Sequence, residues 1–380
     1  MDNPAYSLID SDLALASHCK LWQQKQLLAL DTEFMRTNTF YPIPALLQLY
    51  DGSDCYLIDP LAINDWEPLR QIMLAPHITK VLHSCSEDLE VFERLLQTLP
   101  APLFDTQIAA AFLGYGFSAG YARLIKVLFH IDIPKDETRS DWLQRPLSAN
   151  QMNYAALDVI YLYQLYQRFD KELQGSEKRQ WISACHQELE KQFYQLQEPL
   201  HYFARIKNSW QLTPPQQSLL LELCLWREQK AREKNRPRSH IVADDILWEL
   251  ALKQPSSREA LKKFQPLPPN ALRHHGEELL ELILQHKHSS RPAPLVEEPL
   301  PREAGGILKQ LKALCEQAAE RINVAPEMLA RKKDLQALVA SALKGNLQLP
   351  DSLGGWRQPI IGDLLLEATR KWQTQTTAGQ

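Results

Sequence analysis

The 380-residue chain contains no run of 18 apolar residues, which excludes a transmembrane helix built from one continuous segment. Its opening Met-Asp-Asn-Pro-Ala-Tyr lacks a basic stretch followed by an apolar one, so no secretory signal is expected. No C-x-x-C spacing occurs. Cys19, Cys55, Cys85, Cys185, Cys224 and Cys315 are scattered, which argues against both a zinc site and a disulfide framework. Reduced, packed thiols in a cytoplasmic protein are the expectation. No long heptad seam is present, so nothing demands a dimer and a monomer is expected. With 44% apolar and 23% charged residues, the chain has enough apolar content for two or three globular domains.

What the chain does have is an uneven charge. Residues 1–170 carry 21 Asp and Glu against 12 Lys and Arg, whereas residues 201–291 carry 15 basic residues against 10 acidic ones. Carboxylates in the first part could hold cations, and the basic part could meet an anionic polymer; solvated helix faces explain the charges equally well.

The organising stretch is Leu27-Leu-Ala-Leu-Asp31-Thr-Glu33-Phe34. Four apolar residues lead into two carboxylates at i and i+2, which a strand projects to one face. Such a pair is costly to bury without a metal ion, a basic side chain or a shared proton. Strands are expected at 27–34, 45–50 and 55–59, with Asp51-Gly-Ser-Asp54 as a hairpin turn and antiparallel pairing across the short links. Helix 65–74, strand 80–85, helix 86–96 and strand 103–105 then alternate as parallel strands do. A helix starting at Ser11-Asp12 precedes this sheet. Helices 106–113, 119–129, 148–173 and 177–196 follow it, and Pro199 is expected to break the chain.

Partners for the acidic pair lie on other elements. Ser86 can cap a helix whose first turn holds Glu87 and Asp88; dipole compensation accounts for Glu87, and Asp88 is retained as a candidate. Tyr154 and Asp158 lie four apart in Met152-Asn-Tyr-Ala-Ala-Leu-Asp-Val and share one helix face. An Asp in so apolar a helix calls for a salt bridge or a cation. Asp105 reads as an N-cap. Asp31, Glu33, Asp88 and Asp158 together offer hard oxygen ligands to two Mg²⁺ or Mn²⁺ ions, a set suited to phosphodiester hydrolysis, with the Tyr154 phenol near the attacking water. Paired carboxylates also serve glycoside hydrolysis, which explains neither the Tyr-x-x-x-Asp helix nor the basic segment.

Leu30-Asp-Thr-Glu-Phe34, His83-Ser-Cys-Ser-Glu-Asp88-Leu-Glu-Val-Phe92 and Tyr154-Ala-Ala-Leu-Asp158 resemble the three motifs of the DEDD exonuclease superfamily in its tyrosine-bearing branch. With Ser140-Asp-Trp-Leu-Gln-Arg-Pro, the run resembles the ribonuclease D family. The resemblance implies an α/β ribonuclease H-like exonuclease domain, a mixed sheet with flanking helices, followed by two all-α HRDC-type (helicase-and-RNase-D C-terminal) helical domains. It implies a 3′→5′ exoribonuclease acting on tRNA precursors and other small structured RNAs and releasing 5′-mononucleotides. Asp31, Glu33, Asp88 and Asp158 correspond to metal ligands, Tyr154 to the residue that positions the water, and Phe34 and His83 to contacts with the terminal nucleotide. A DNA 3′→5′ exonuclease and a non-catalytic RNA-binding scaffold are the alternatives.

The domains expected are 1–175 (catalytic), 176–209 (connector), 210–290 (first HRDC), 291–303 (Pro-rich linker) and 304–380 (second HRDC-like). A weak internal repeat supports the two modules: Leu223-Cys224 resembles Leu314-Cys315, and Gly276-Glu-Glu-Leu-Leu resembles Gly362-Asp-Leu-Leu-Leu. The Pro-rich stretch reads as ending in Gly305-Gly306. Arg227, Lys230, Arg232, Lys234, Arg236 and Arg238 crowd the first module, where phosphate contacts or a charged helix would account for them.

Overall fold

The computed structural model describes residues 4–133, 137, 140–264, 266–286, 296 and 298–378. The N-terminal region alternates β1 (Ser7–Ile9), α1 (Asp12–Trp22), β2 (Leu27–Met35), β3 (Ile43–Tyr50), β4 (Cys55–Ile58), α2 (Glu67–Leu74), β5 (Thr79–Leu82), α3 (Ser86–Leu96) and β6 (Leu103–Asp105). The six strands form one sheet ordered β1-β4-β3-β2-β5-β6. It is mixed, as expected: β3 and β4 pair antiparallel, while β2, β5 and β6 run parallel to one another. Edge strand β1, parallel to β4, was not foreseen, because three residues carry too little periodicity to register.

Turn chemistry explains the hairpin. The Asp51 carboxylate accepts both Ser53 N and Asp54 N at 2.9 Å, and Gly52 sits at φ +91°. A Cβ at Gly52 would lie 2.6 Å from the Tyr163 hydroxyl, so glycine is required for space as well as for φ. At α1 the expected Ser11 side-chain cap does not form; Asp12 instead accepts from Asn64 N and Asp65 N.

Helices α4 (Thr106–Phe112), α5 (Tyr121–Phe129), α6 (Ala149–Glu172) and α7 (Lys178–Gln197) follow. A Ser148–Gln151 capping box starts α6, and its Ala155, Ala156, Val159, Leu162, Leu165 and Phe169 are buried in the core shared with the sheet. The chain breaks before Pro199 as expected: α7 ends at Gln197, Glu198 is extended, and Pro199 opens a separate short helix, α8 (Pro199–Phe203), since proline is tolerated in a first turn. The rest is helical: α9 (Pro214–Glu233), α10 (Arg238–Ile241), α11 (Asp244–Lys253), α12 (Arg258–Lys262), α13 (Pro269–His286), α14 (Gly305–Ile322), α15 (Pro326–Leu329), α16 (Lys332–Leu343) and α17 (Asp363–Ala378). Gly305 and Gly306 do not end a linker; they form the first turn of α14. Most of the Pro-rich stretch before them lies outside the described residues.

The chain divides into two compact units, Met1–Phe34 with Pro44–Leu189 and Leu300–Gln380, and Met35–Ile43 with Glu190–Pro299. In the first unit the C-terminal helices dock on the α4–α7 region. Ala325 N donates to Ala111 O at 2.7 Å, and Lys178 Nζ bridges Phe112 O and Asn323 O. Trp356 stacks on Trp181 with ring centroids 5.1 Å apart. Buried Arg357 bonds Met328 O, Glu188 and Cys185 Sγ.

In the second unit, Phe40 from the β2–β3 link is buried in the helical core. Asn235 Oδ1 accepts Phe40 N and Tyr41 N, and the guanidinium of Arg238 lies 4.6 Å over the Phe40 ring. Here the expected basic surface is corrected. Arg232 and Arg238 clamp the buried Glu228 carboxylate, Arg227 is buried against Val242 O and Asp244, and Lys230 pairs with Glu278. Four of the six charges are paired within the unit: two hold Glu228, which could not stay ionised alone while buried, and two meet the more exposed Asp244 and Glu278.

Candidate active site

Strand β2 delivers Asp31 and Glu33 to one face, and α6 brings Asp158 to them. One carboxylate oxygen from each lies within 4.8 Å of the other two. Asp88 is not part of this trio. Its carboxylate accepts the Thr32 hydroxyl at 2.5 Å, and its charge still bears on Asp31 and Glu33. Thr32, the residue between the acidic pair, is thus the bridge to α3, a role its hydroxyl and its opposite strand parity allow.

The start of α3 differs from expectation. Cys85, not Ser86, occupies the N-cap, and its side chain makes no cap bond. Asp105 does that work from the neighbouring strand. Its carboxylate accepts Ser84 N and Cys85 N at 3.1 and 2.9 Å, as well as Gln107 N and Ile108 N at the start of α4. One buried carboxylate therefore fixes two parallel strand-to-helix junctions, including the one that aims Asp88.

Tyr154 lies one turn before Asp158 on α6, and its hydroxyl hydrogen-bonds the Asp158 carboxylate. Asp158 Oδ1 is buried without a hydrogen-bond partner. Tyr121, not foreseen from the sequence, donates its hydroxyl to Asp158 O at 2.5 Å and holds this part of α6 in place. Its ring packs 5.4 Å from that of His83. His83 Nδ1 lies 2.9 Å from Thr106 Oγ1, whose own proton goes to Leu82 O. His83 Nε2 is buried without a side-chain partner. Phe34 sits half-buried near the end of β2.

The electrostatics are those of a site awaiting positive charge. Burial, and then Asp88, Asp158 and Glu33, push Asp31 well above the usual carboxylate range. Burial, with Asp158 and Asp88, raises Glu33 to about 9. Burial also raises Asp158 to about 7 and Asp88 to about 6, opposed by the Tyr154 and Thr32 hydrogen bonds respectively. Among the described residues no Lys or Arg contributes to these shifts, which leaves a proton or a metal ion as the compensator there. An all-carboxylate oxygen set with one orphaned buried oxygen fits a hard divalent cation, and the absence of His or Cys from the trio disfavours zinc.

Comparison with known proteins matches residues 6–174 to a family described as 3′-5′ exonuclease, residues 216–283 to the HRDC domain, and residues 305–365 to the ribonuclease D C-terminal HRDC domain. Ribonuclease D of Pseudomonas paraeruginosa is 45% identical over 368 residues, spanning 96% of this chain and 98% of that protein. Ribonuclease D of Escherichia coli is 38% identical, spanning 96% and 97%. The crystal structure of E. coli RNase D, described as an exoribonuclease involved in structured RNA processing, superposes with a TM-score of 0.85 at 35% identity, covering 97% of this chain and 99% of that one.

Proposed function

The chain belongs to the ribonuclease D family of 3′→5′ exoribonucleases, and we propose that it trims tRNA precursors and other small structured RNAs to 5′-mononucleotides by a two-metal mechanism. The observation that supports the mechanism is the convergence of Asp31, Glu33 and Asp158 with no basic partner among the described residues. Asp31, Glu33 and Asp158 would hold the ions, with Asp88 completing the set from α3. Two bound Mg²⁺ or Mn²⁺ ions supply Lewis acidity at the attacking water and at the leaving 3′-oxygen.

The protein's own groups do the rest. Burial and the neighbouring carboxylates raise Tyr154 in the metal-free site, and its hydroxyl is placed to orient the nucleophilic water by hydrogen bonding or to assist its deprotonation. His83, beside Tyr121, and Phe34 would flank the terminal nucleotide, with Phe34 offering an apolar face to its base. Asp105 and Tyr121 keep α3 and α6 at the spacing that the cations need. We further assign residues 1–175 to the catalytic domain, 176–209 to a connector, and 210–290 and 304–380 to two HRDC-type modules joined through 291–303, in a cytoplasmic monomer.

The test is release of 5′-mononucleotides from a 3′-extended tRNA, with and without a chelator, beside a DNA strand of matched sequence. Chelator-sensitive trimming of the RNA is expected. Trimming that ignores the chelator would remove the metal mechanism, and faster trimming of DNA would reassign the substrate.

A pH dependence follows from the raised carboxylates. Folded Asp88, Asp158 and Glu33 hold protons up to about 6, 7 and 9, whereas an unfolded chain releases them in the ordinary carboxylate range. The folded metal-free state therefore binds more protons across that window, and its stability falls as pH rises. Saturating divalent metal replaces those protons. The gap in Tm between metal-loaded and chelated protein should widen steadily from pH 5.5 to 9; a gap independent of pH would refute the linkage.

A further inference from the structure

The cations of the first HRDC module are largely spent on its own carboxylates, which leaves the phosphate-binding role to others. Arg205 and Lys207 follow α8 and are exposed, and among the described residues neither side chain is paired. With Asn208, Asp244, Asp245 and Trp248 they line a cavity of about 440 Å³. That volume is within the range of small-ligand sites, about 300–1,000 Å³. The Trp248 indole donates Nε1 to Asn208 O at 3.1 Å. This bond fixes the ring plane and consumes its single polar atom, so what the ring has left to offer a ligand is its π-face.

We propose that this cavity holds one nucleotide of single-stranded RNA, with its base stacked on Trp248 and the adjoining phosphates on Arg205 and Lys207. The choice of RNA rests on the exoribonuclease reading; the stacking site itself rests on the geometry. A fixed ring flanked by unpaired cations is the arrangement by which proteins grip single strands without reading sequence. The carboxylates refine the choice of ligand. Asp244 is committed to Arg227 at 2.6 Å, and Asp245 spends one oxygen on Ile246 N, leaving an acceptor for a base amino group. Their charge disfavours a bare phosphate, so the site requires a base. A second cationic cavity of this module, about 480 Å³ lined by Arg258, Lys262 and Arg273, has no Trp, Tyr or Phe, only the His274 imidazole, and its Arg258 is paired with Glu277 at 3.2 Å.

The experiment uses the full-length chain carrying Asp158→Asn, so that RNA is not consumed, with fluorescence anisotropy of a short 5′-labelled oligoribonucleotide. Trp248→Ala should weaken binding about tenfold, within the range for loss of one base stack. Trp248→Phe should retain most of the affinity. Replacing Arg205 and Lys207 together by Gln should lower the slope of log affinity against log salt by roughly one, as for one to two lost phosphate contacts. Inorganic phosphate in excess should not displace the RNA. With the catalytic residues intact, Trp248→Ala should cleave a dinucleotide at the parental rate, because so short a substrate has no strand left to grip. The proposal is overturned if Trp248→Ala binds RNA as the parent does, if Trp248→Phe loses as much as Trp248→Ala, if phosphate competes, or if dinucleotide cleavage falls. Failure of the exoribonuclease reading would show separately, as absent chelator-sensitive hydrolysis with these binding differences unchanged.

Discussion

Replacing Asp158 by Asn should lower mononucleotide release by roughly 10³-fold or more while leaving RNA affinity within about threefold, the former matching the several kcal/mol that a catalytic metal contributes. The substitution keeps shape and the capacity to accept the Tyr154 hydroxyl, and removes one negative charge. That charge matters because Asp158 is the α6 member of the trio, the one that ties the helix to Asp31 and Glu33 across the cation site. Its Oδ1 has no protein partner to lose, so the fold should not suffer. Relief of repulsion should in fact leave the chelated variant at least as stable as the parent, the opposite of what a structural salt bridge would give. Single-turnover hydrolysis and melting curves in chelator are the two measurements. Activity within tenfold of the parent would take Asp158 out of the site, and a clear drop in chelated stability would return it to a structural role.

The second large effect concerns the C-terminal helices. Arg357→Ala should destabilise the sheet-bearing unit by about 2 kcal/mol, within the usual cost of leaving a buried hydrogen-bonding group without its partner, since Glu188, the ionic partner, is itself 43% exposed. Its guanidinium bonds Met328 O, Glu188 and Cys185 Sγ at 2.9, 2.8 and 3.4 Å and lies 4.4 Å over the Trp356 ring. Alanine would leave the Met328 carbonyl without this donor and remove the guanidinium from the Trp356 ring. Urea titration followed by tryptophan fluorescence should show an earlier midpoint, and thermal inactivation of the nuclease should move with it. An unchanged midpoint would mean that the C-terminal helices ride on this unit without bracing it. Arg357→Lys should recover only part of the loss, since an ammonium cannot reach three acceptors in the guanidinium plane.

The carboxylates that converge in the candidate site could be picked out from the order of residues. Asp31-x-Glu33 announces itself because apolar strand residues run directly into two charges, and Tyr154-x-x-x-Asp158 because an Asp interrupts an apolar helix face. Both signals are local. The contributions of Asp105 and Tyr121 were not legible, for a physical reason. The Asp105 carboxylate serves amides twenty residues away as well as its own helix, and only the adjacency of β5 and β6 reveals that. Tyr121 acts on a main-chain carbonyl 37 residues on, for which no side-chain pattern exists. The basic run from Arg227 to Arg238 shows the converse error. Its density suggests an anion surface, but the sequence does not say that Glu228 is buried between Arg232 and Arg238, and burial decides where those charges go. The docking of the C-terminal helices was likewise invisible, since Lys178, Asn323 and Arg357 meet their acceptors only across long stretches of chain.

The link between β2 and β3 bears on how such a protein can be inherited or rebuilt. Residues 35–43 belong to the helical unit although the strands they join belong to the sheet, so the chain passes between units at 34/35, 43/44, 189/190 and 299/300. Neither unit is one continuous stretch of gene. A recombination event that exchanged 190–299 for a homologous module would have to find Phe40 acceptable to the newcomer, or else leave an aromatic ring and two main-chain amides, those of Phe40 and Tyr41, without their socket. The segment that enters the helical core lies only seven residues past Glu33. Drift in the first HRDC module is therefore constrained by the strand that carries Asp31 and Glu33, and the two parts of the gene are bound to evolve as one.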